Sequence, residues 1–541
     1  MKKYPVVILL LMVVIAQGCI QTTPTTTSTQ TIHNEFIRMQ VSDRVYVEID
    51  PRLELLQILY RISDSSWYRE HVDPKKIGIT SEKYSYIKDV DEYFTQYRNM
   101  KAVKMVNEMI SMGLTYDAIP EFAIHLDPVN FSKAVEWDDM LELRPFLDTK
   151  KLDEFASAIA EFANKTNFWE FYRDHEEFYN RTLGEFVEDN PGIPELVNIE
   201  EEFFGENASA WHIIPMTVFC CHGHGYYLRG KNGVVIYAFL GFRGLKNGIP
   251  VVPATAMGSS FLAHEFAHSF VNPAVDKYYG LFEPYESLFD PVSNKLKAMA
   301  YSDFKTMLYE TFVRAFEVYY LNATGNEKAA TLKLNSEKKT FYFIDKVYHA
   351  YVNDYMNHRD KYRTFEDFMP RLAEVIGEVY NETDGGKNVE VPLTVSDFLM
   401  ALKDKGGIVA YDYGEHARKL AFWIYDRFKS MGLKVEIKPI SELNGKDKER
   451  NLLLVMLSSN PLVQEIKGPM VINGTRVYSR KSKKYYSGSL RIFEVVRNPW
   501  SGDSLIFAII ATDDRALNNI HAYNDMTYSI RDSKDRLLEA G

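Results

Sequence analysis

Cysteine is nearly absent: 541 residues carry only Cys19, Cys220 and Cys221. That excludes the disulfide framework by which small secreted domains compensate for a thin core. Adjacent cysteines strain the peptide between them, so Cys220 and Cys221 are expected to be thiols. Together with His222 and His224 they lack the spacing that chelates one metal without strain. A basic surplus is missing too. Lys and Arg number 63 against 74 Asp and Glu, a net charge of -11, which argues against nucleic acid as a partner. The run Arg480 to Lys484 reads as a solvated basic turn. There is also no apolar run near the roughly 20 residues that span a bilayer. What remains is ordinary globular material, 46% hydrophobic and 25% charged, in a chain long enough for two or three domains.

The start of the chain reads as an address. Lys2 and Lys3 precede an apolar run from Pro5 to Ala16 and then Ala16-Gln17-Gly18-Cys19, so residues 1–19 form a lipoprotein signal peptide. Cleavage before Cys19 would leave that cysteine to carry a lipid and anchor the chain to the membrane. Residues 20–40 form a Thr-rich linker with little to bury. The order of lipobox, Thr-rich spacer and folded body resembles archaeal surface lipoproteins, which implies the extracellular face of the cell membrane. Seven Asn-x-Ser/Thr sites, at Asn130, Asn164, Asn180, Asn207, Asn322, Asn381 and Asn473, are compatible with that location.

The folded part divides into residues 41–390 and 391–541. A strand at 44–49 runs into Asp50-Pro51, a strong helix start, and an amphipathic helix through Leu53, Leu56 and Leu59. Helical patterns dense in Phe and Tyr follow near 92–113, 151–164 and 166–180. Residues 226–243 read as a hairpin around Asn232-Gly233, and its strand is a candidate for pairing with an extended substrate. Near Gly385-Gly386 the composition changes. Strands are expected at Gly407–Tyr411, Lys434–Ile437, Asn451–Leu457, Ser489–Val496 and Ser504–Ala511, with a helix from Glu415 to Met431. Asn460-Pro461-Leu462-Val463, Asn498-Pro499-Trp500 and Thr512-Asp513-Asp514 resemble a module of archaeal surface-layer proteins. That resemblance implies a surface-layer contact through the C-terminal domain and no catalytic residues.

One motif carries chemistry: Ala263-His264-Glu265-Phe266-Ala267-His268, a His-Glu-x-x-His. Residues four apart share a helix face, so both imidazoles can reach one ion while Glu265 stands beside them as general base. A third ligand and a water complete an open tetrahedral zinc site, able to hydrolyse a peptide bond. Apolar residues frame the motif, and Asn272-Pro273 is expected to end its helix. A third histidine in the next turn is absent, since Asn272-Pro273-Ala274 stands there, which disfavours a metzincin. Glu310, on a helix expected over about 303–321, is the favoured third ligand. Glu283, Glu286 and Glu317 compete. Arg314 reads as a helix ion-pair partner of Glu310 that could also orient it or hold a substrate carboxylate. Asn272 could orient a metal-binding histidine or cap the helix. For the oxyanion, Tyr319, Tyr320, His222 and His224 are candidates by residue type alone.

Asp50 to Leu55, His264 to Pro273, Glu310 to Ala315 and Asp367-Phe368-Met369-Pro370 together resemble an uncharacterised family of exported bacterial and archaeal proteins, a domain of unknown function with gluzincin-like features. The resemblance covers about residues 40–385. It implies His264, His268 and Glu310 as metal ligands and Glu265 as base, and it supplies no substrate; a peptide or protein substrate is what the metal-activated water itself suggests. The expected fold is thus α+β: a mainly helical zincin-like metallopeptidase domain with a small β-sheet, then a smaller three-layer α/β domain. The rival is a non-catalytic surface-layer-associated scaffold lipoprotein whose metal site is structural or vestigial.

Overall fold

The computed structural model describes residues 36–541 apart from 231–232, 256–258 and 518–525. The signal peptide, Cys19 and most of the Thr-rich linker therefore lie outside the described residues. The end of that linker does not: Ile37–Ser42 is already a strand, β1, paired antiparallel with β2, Val45–Ile49. The hairpin closes through Asp43 and Arg44, the latter at φ 66°. Its alternating apolar residues seat Val45, Val47 and Ile49 in the core. Among the described residues no helix is long and apolar enough to cross a membrane.

Helix α1, Pro51–Ile62, begins where Asp50-Pro51 predicts, with the Asp50 carboxylate accepting from the Arg52 amide. Every residue from Pro51 to Tyr60 is buried, polar ones included, so α1 is a central element whose charges must be satisfied internally. Arg52 pairs with Asp50 and donates to the carbonyls of Ile124 and Leu126. Gln57 accepts from the amides of Val218 and Phe219, serving a stretch of strand where the ladder is irregular.

Glu54 accepts from Thr217 and Tyr86. Burial nevertheless raises its carboxyl to about 7, against the pull of those hydrogen bonds. An acid whose folded pKa lies above its unfolded value, here 4.5, stabilises most when protonated. That contribution is complete below the unfolded value and is lost as pH rises through about 7. Glu54→Gln is therefore expected to flatten the pH dependence of stability between about pH 5 and pH 8 by something on the order of 1–3 kcal/mol. Urea melts at both ends of that range check this, and equal slopes in variant and wild type would refute it.

The remaining strands of the first sheet are β3 (Ala210–Cys220), β4 (Gly223–Gly230) and β5 (Gly233–Phe242), in the order β1-β2-β3-β5-β4. β2, β3 and β5 run parallel, and β4 returns antiparallel as a free edge. The expected hairpin is present, although Lys231 and Asn232 of its turn lie outside the described residues. Helices surround this sheet and share one core with it, reaching from Val45 to Val379. The helical stretch expected near 92–113 is interrupted: Ser85–Phe94 and Lys101–Ser111 are separate helices. Thr149–Lys165, Phe168–Asp174 and Glu176–Asp189 follow.

From residue 395 the chain has its own cores. A seven-stranded mixed sheet is ordered Leu537–Ala540, Tyr528–Asp532, Leu490–Arg497, Leu505–Ala511, Asn451–Leu457, Gly407–Tyr411, Val435–Pro439. Its parallel centre consists of the continuous apolar runs that the sequence marks as buried. Helices Val395–Lys405 and Glu415–Ser430 cover one face. The other carries no long helix among the described residues. It is covered by the short turn Pro461–Gln464 and a three-stranded sheet of Met470–Asn473, Arg476–Ser479 and Tyr485–Ser487. The surface-layer-like motifs act locally: Asn460 accepts from the Leu462 amide, and Asp514 accepts from the amides of His416 and Ala417, capping the helix that follows Gly414. Lys295 bridges to Asp397 at 3.2 Å, tying this part to the preceding helices. As a whole the chain is a mixed α+β protein with several small sheets.

Candidate metal centre

The motif helix, Phe261–Tyr278, packs against β4 and β5. Two glycines make the approach possible. A Cβ on Gly225 would fall 1.7 Å from the carbonyl oxygen of Glu265, and one on Gly223 would fall 2.4 Å from its Oε1. One face of β4, the last strand of its sheet, therefore lies directly on the motif helix, with Gly223 against the Glu265 carboxylate. Ser260 precedes the helix, but its hydroxyl does not cap it and donates instead to Glu317 Oε1 at 2.6 Å.

Asn272-Pro273 does not end this helix, contrary to expectation. Pro273 deprives the Ser269 carbonyl of its helical donor, yet the helix continues to Tyr278 because Val271 before the break and Ala274 and Val275 beyond it are all buried and Phe270 stacks on Phe204 at 4.5 Å. Asn272 is consequently not a cap. Its Oδ1 lies 3.0 Å from His268 Nδ1.

A second helix, Phe304–Ala323, is capped by Asp303, whose carboxylate accepts from the Thr306 amide. Glu310, Arg314 and Glu317 recur at intervals of four and three, so they share one face, which meets the motif helix. Glu310 and Glu317 are buried there.

The two histidine Nε2 atoms lie 3.1 Å apart. Glu310 Oε1 is 3.6 Å from His268 Nε2, and its Oε2 is 3.9 Å from His264 Nε2. Ligand atoms of the three residues all fall within 4.8 Å of one another. Tetrahedral zinc with bonds of about 2.0–2.1 Å separates its ligand atoms by roughly 3.3 Å, so the cluster is of the right size. The tautomers agree. His264 Nδ1 faces Glu317 Oε2 at 3.0 Å and His268 Nδ1 faces Asn272 Oδ1, so both Nδ1 atoms act as donors and both Nε2 lone pairs converge. Two lone pairs and a carboxylate oxygen aimed at one point repel unless a cation or proton lies between them. The donor set fits a divalent cation that prefers nitrogen and oxygen.

The electrostatics are divided between the groups. Burial disfavours charge on His264, but Glu317, Glu310 and Glu265 outweigh it and raise its pKa. Burial and the neighbouring His264 lower that of His268. For Glu310, burial is overcome by Arg314 and both histidines, which hold it below the usual carboxylate range. Glu317 is also held low, because Lys333 and His264 outweigh its burial. Glu265 lacks comparable cationic support, and burial pushes it up to about 7.

Arg314 donates to Glu310 Oε2 at 2.9 Å and to Glu337 at 3.0 Å, and also to the hydroxyl of Tyr301. The acid of the cluster is thus held by an ion pair that is itself held. Lys333, Tyr301 and Ser260 are participants that sequence reasoning missed; each is remote in sequence from the group it supports, and no local pattern marks it. Glu317, considered above as a rival ligand, instead sits on the far nitrogen of His264. Glu317→Gln is expected to weaken metal binding by roughly tenfold to a hundredfold without abolishing it. Competition against a chromogenic chelator measures this, and an unchanged affinity would remove Glu317 from the account.

Glu283 and Glu286 lie in a 3-10 segment apart from the cluster, with Glu286 accepting from Tyr279. Cys220 and Cys221 are joined in a disulfide and are not thiols; Cys221 accommodates the bridge with φ 82°. Cys221, His222 and His224 line a cleft of about 1410 Å³ that also contains His264, Glu265, His268 and Glu310. His222 is engaged by the His71 carbonyl at 3.1 Å. Tyr319 packs on Phe203 and, like Tyr320, is not part of the cleft lining.

A family model described as a domain of unknown function, DUF4932, matches residues 45–375, a span that contains every residue of the cluster. No curated protein and no solved structure matches the chain.

Proposed function

The chain belongs to the DUF4932 family, a domain of unknown function, and from that premise we propose that it is a zinc-dependent metallopeptidase with His264, His268 and Glu310 as ligands and Glu265 as general base. The observation that carries this reading is the convergence of both Nε2 lone pairs and the Glu310 carboxylate beside a second, differently tuned carboxylate, that of Glu265, in an open cleft. The helical body, with a small sheet whose edge lies on the motif helix, supports a zincin-like fold.

Zinc bound there supplies Lewis acidity, acidifying a water and polarising the carbonyl it attacks. The chain's own residues do the rest. Glu265, its carboxyl raised to about 7 by burial, is suited to take a proton from the attacking water and return it to the departing amine nitrogen. Glu317 and Asn272 hold the imidazoles in the tautomer that leaves Nε2 free. The edge of β4, which has no further strand beside it among the described residues, supports binding of an extended peptide by strand addition. The lipobox before Cys19 and the Thr-rich linker support anchorage by lipid at the extracellular face of the membrane, with the C-terminal part free to contact a surface layer.

The test is incubation of zinc-loaded protein with a mixture of unstructured peptides, read by mass spectrometry. Peptides cut by the wild type and left whole in the presence of a chelator are expected. Full zinc occupancy with no cleavage would favour the scaffold reading.

A further inference from the structure

Four of the cations lining the cleft, Arg144, Lys305, Arg314 and Lys333, each bridge to a carboxylate of the chain. Arg243 lines the same cleft and has no ion-pair partner among the described residues. It is held all the same. Its guanidinium donates to the carbonyl of Cys221 and lies over the Phe261 ring, 5.0 Å from the centroid. A guanidinium carries five N–H donors in a planar fork that matches a carboxylate, and one hydrogen bond leaves most of them unused. Burial lowers the pKa of Arg243, and the acid acting on it is Glu265. Held on one side, the side chain is otherwise exposed to the cleft, and an accessible cation without a counter-ion favours the arrival of an anion.

Its place along the cleft is defined by β4. Arg243 is fixed to Cys221, just before that strand, and Gly223, the first residue of the strand, adjoins the Glu265 carboxylate. A peptide that pairs antiparallel with the free edge, the more stable sense, runs opposite to β4. Its residues after the bond facing Glu265 then pass the beginning of the strand, where Arg243 stands.

We propose that Arg243 is a specificity-determining residue that binds a substrate carboxylate on the leaving-group side of the scissile bond, from a free C-terminus or an acidic side chain. The word substrate rests on the peptidase reading above; the carboxylate site itself does not.

The test is therefore a binding experiment. Zinc-loaded Glu265→Gln protein is titrated calorimetrically with an N-acetylated tripeptide as its free acid, as its C-terminal amide, and as an amide with aspartate as last residue. At least one carboxylate form is expected to bind roughly tenfold to a hundredfold tighter than the neutral amide. A preference confined to the free acid identifies the C-terminus as the source, and one shared by the aspartyl amide identifies a side chain. Adding Arg243→Gln is expected to erase the preference, and Arg243→Lys to retain part of it, with unchanged melting temperatures showing that both variants fold. Equal binding of all three probes, or a preference that survives Arg243→Gln, would overturn the proposal. If the preference behaves as expected but wild-type protein cleaves none of the probes or longer peptides, the peptidase reading fails and the carboxylate site stands.

Discussion

Glu265→Gln is expected to retain the metal while hydrolysis falls by roughly a hundredfold to ten-thousandfold, the usual contribution of a placed general base. The substitution is nearly isosteric, which matters where Gly223 and Gly225 leave no spare room around the side chain and backbone of residue 265. Glu265 is outside the cluster of converging ligand atoms, so occupancy should not depend on it. The amide cannot accept and return a proton at neutral pH. Metal content by atomic spectrometry and initial rates on a cleaved peptide give the two readouts. A rate within a few-fold of wild type would discard Glu265 as base, and joint loss of metal and activity would make it a ligand.

Glu310→Gln is expected to have the opposite signature, with metal and activity lost together. Glu310 is the cluster's anionic member, and the Arg314 guanidinium stands 2.9 Å behind it. Without that carboxylate, two neutral imidazoles would have to hold a dication near an arginine. The loss should exceed the roughly tenfold to hundredfold effect of removing a supporting partner such as Glu317. Stability gives an independent check, since a metal at a hundred times its dissociation constant stabilises the folded state by about 2.7 kcal/mol. Zinc should therefore raise the melting temperature of the wild type and leave that of Glu310→Gln unchanged. An equal rise in both would show that the ion binds elsewhere.

What could be read in the sequence was what local rules determine. A four-residue spacing puts His264 and His268 on one helix face wherever the helix lies, and the apolar frame of Glu310 marks a buried acid. Strands such as Asn451–Leu457 stand out as continuous apolar runs, and Asp50-Pro51 marks the start of α1. Pro273 misled because burial of Val271, Ala274 and Val275 outweighs one missing hydrogen bond. The adjacent cysteines misled because residue 221 occupies a backbone region that side chains seldom adopt. The three-stranded sheet over 470–487 was missed because its strands are short and half polar. The sequence offers Glu317 as a rival ligand, but whether it ligates or supports depends on which histidine nitrogen it faces. Tyr301, Lys333, Ser260 and Arg243 take their meaning from partners distant in the chain, which only the folded arrangement brings together.

The measurement closest to the central claim is the metal content of the purified chain after exposure to a stoichiometric zinc supply and gel filtration. Close to one zinc per chain is expected, with His264→Ala and His268→Ala each retaining almost none. A wild type without zinc, or histidine variants that keep it in full, would contradict the convergence of two imidazoles and an acid on one ion.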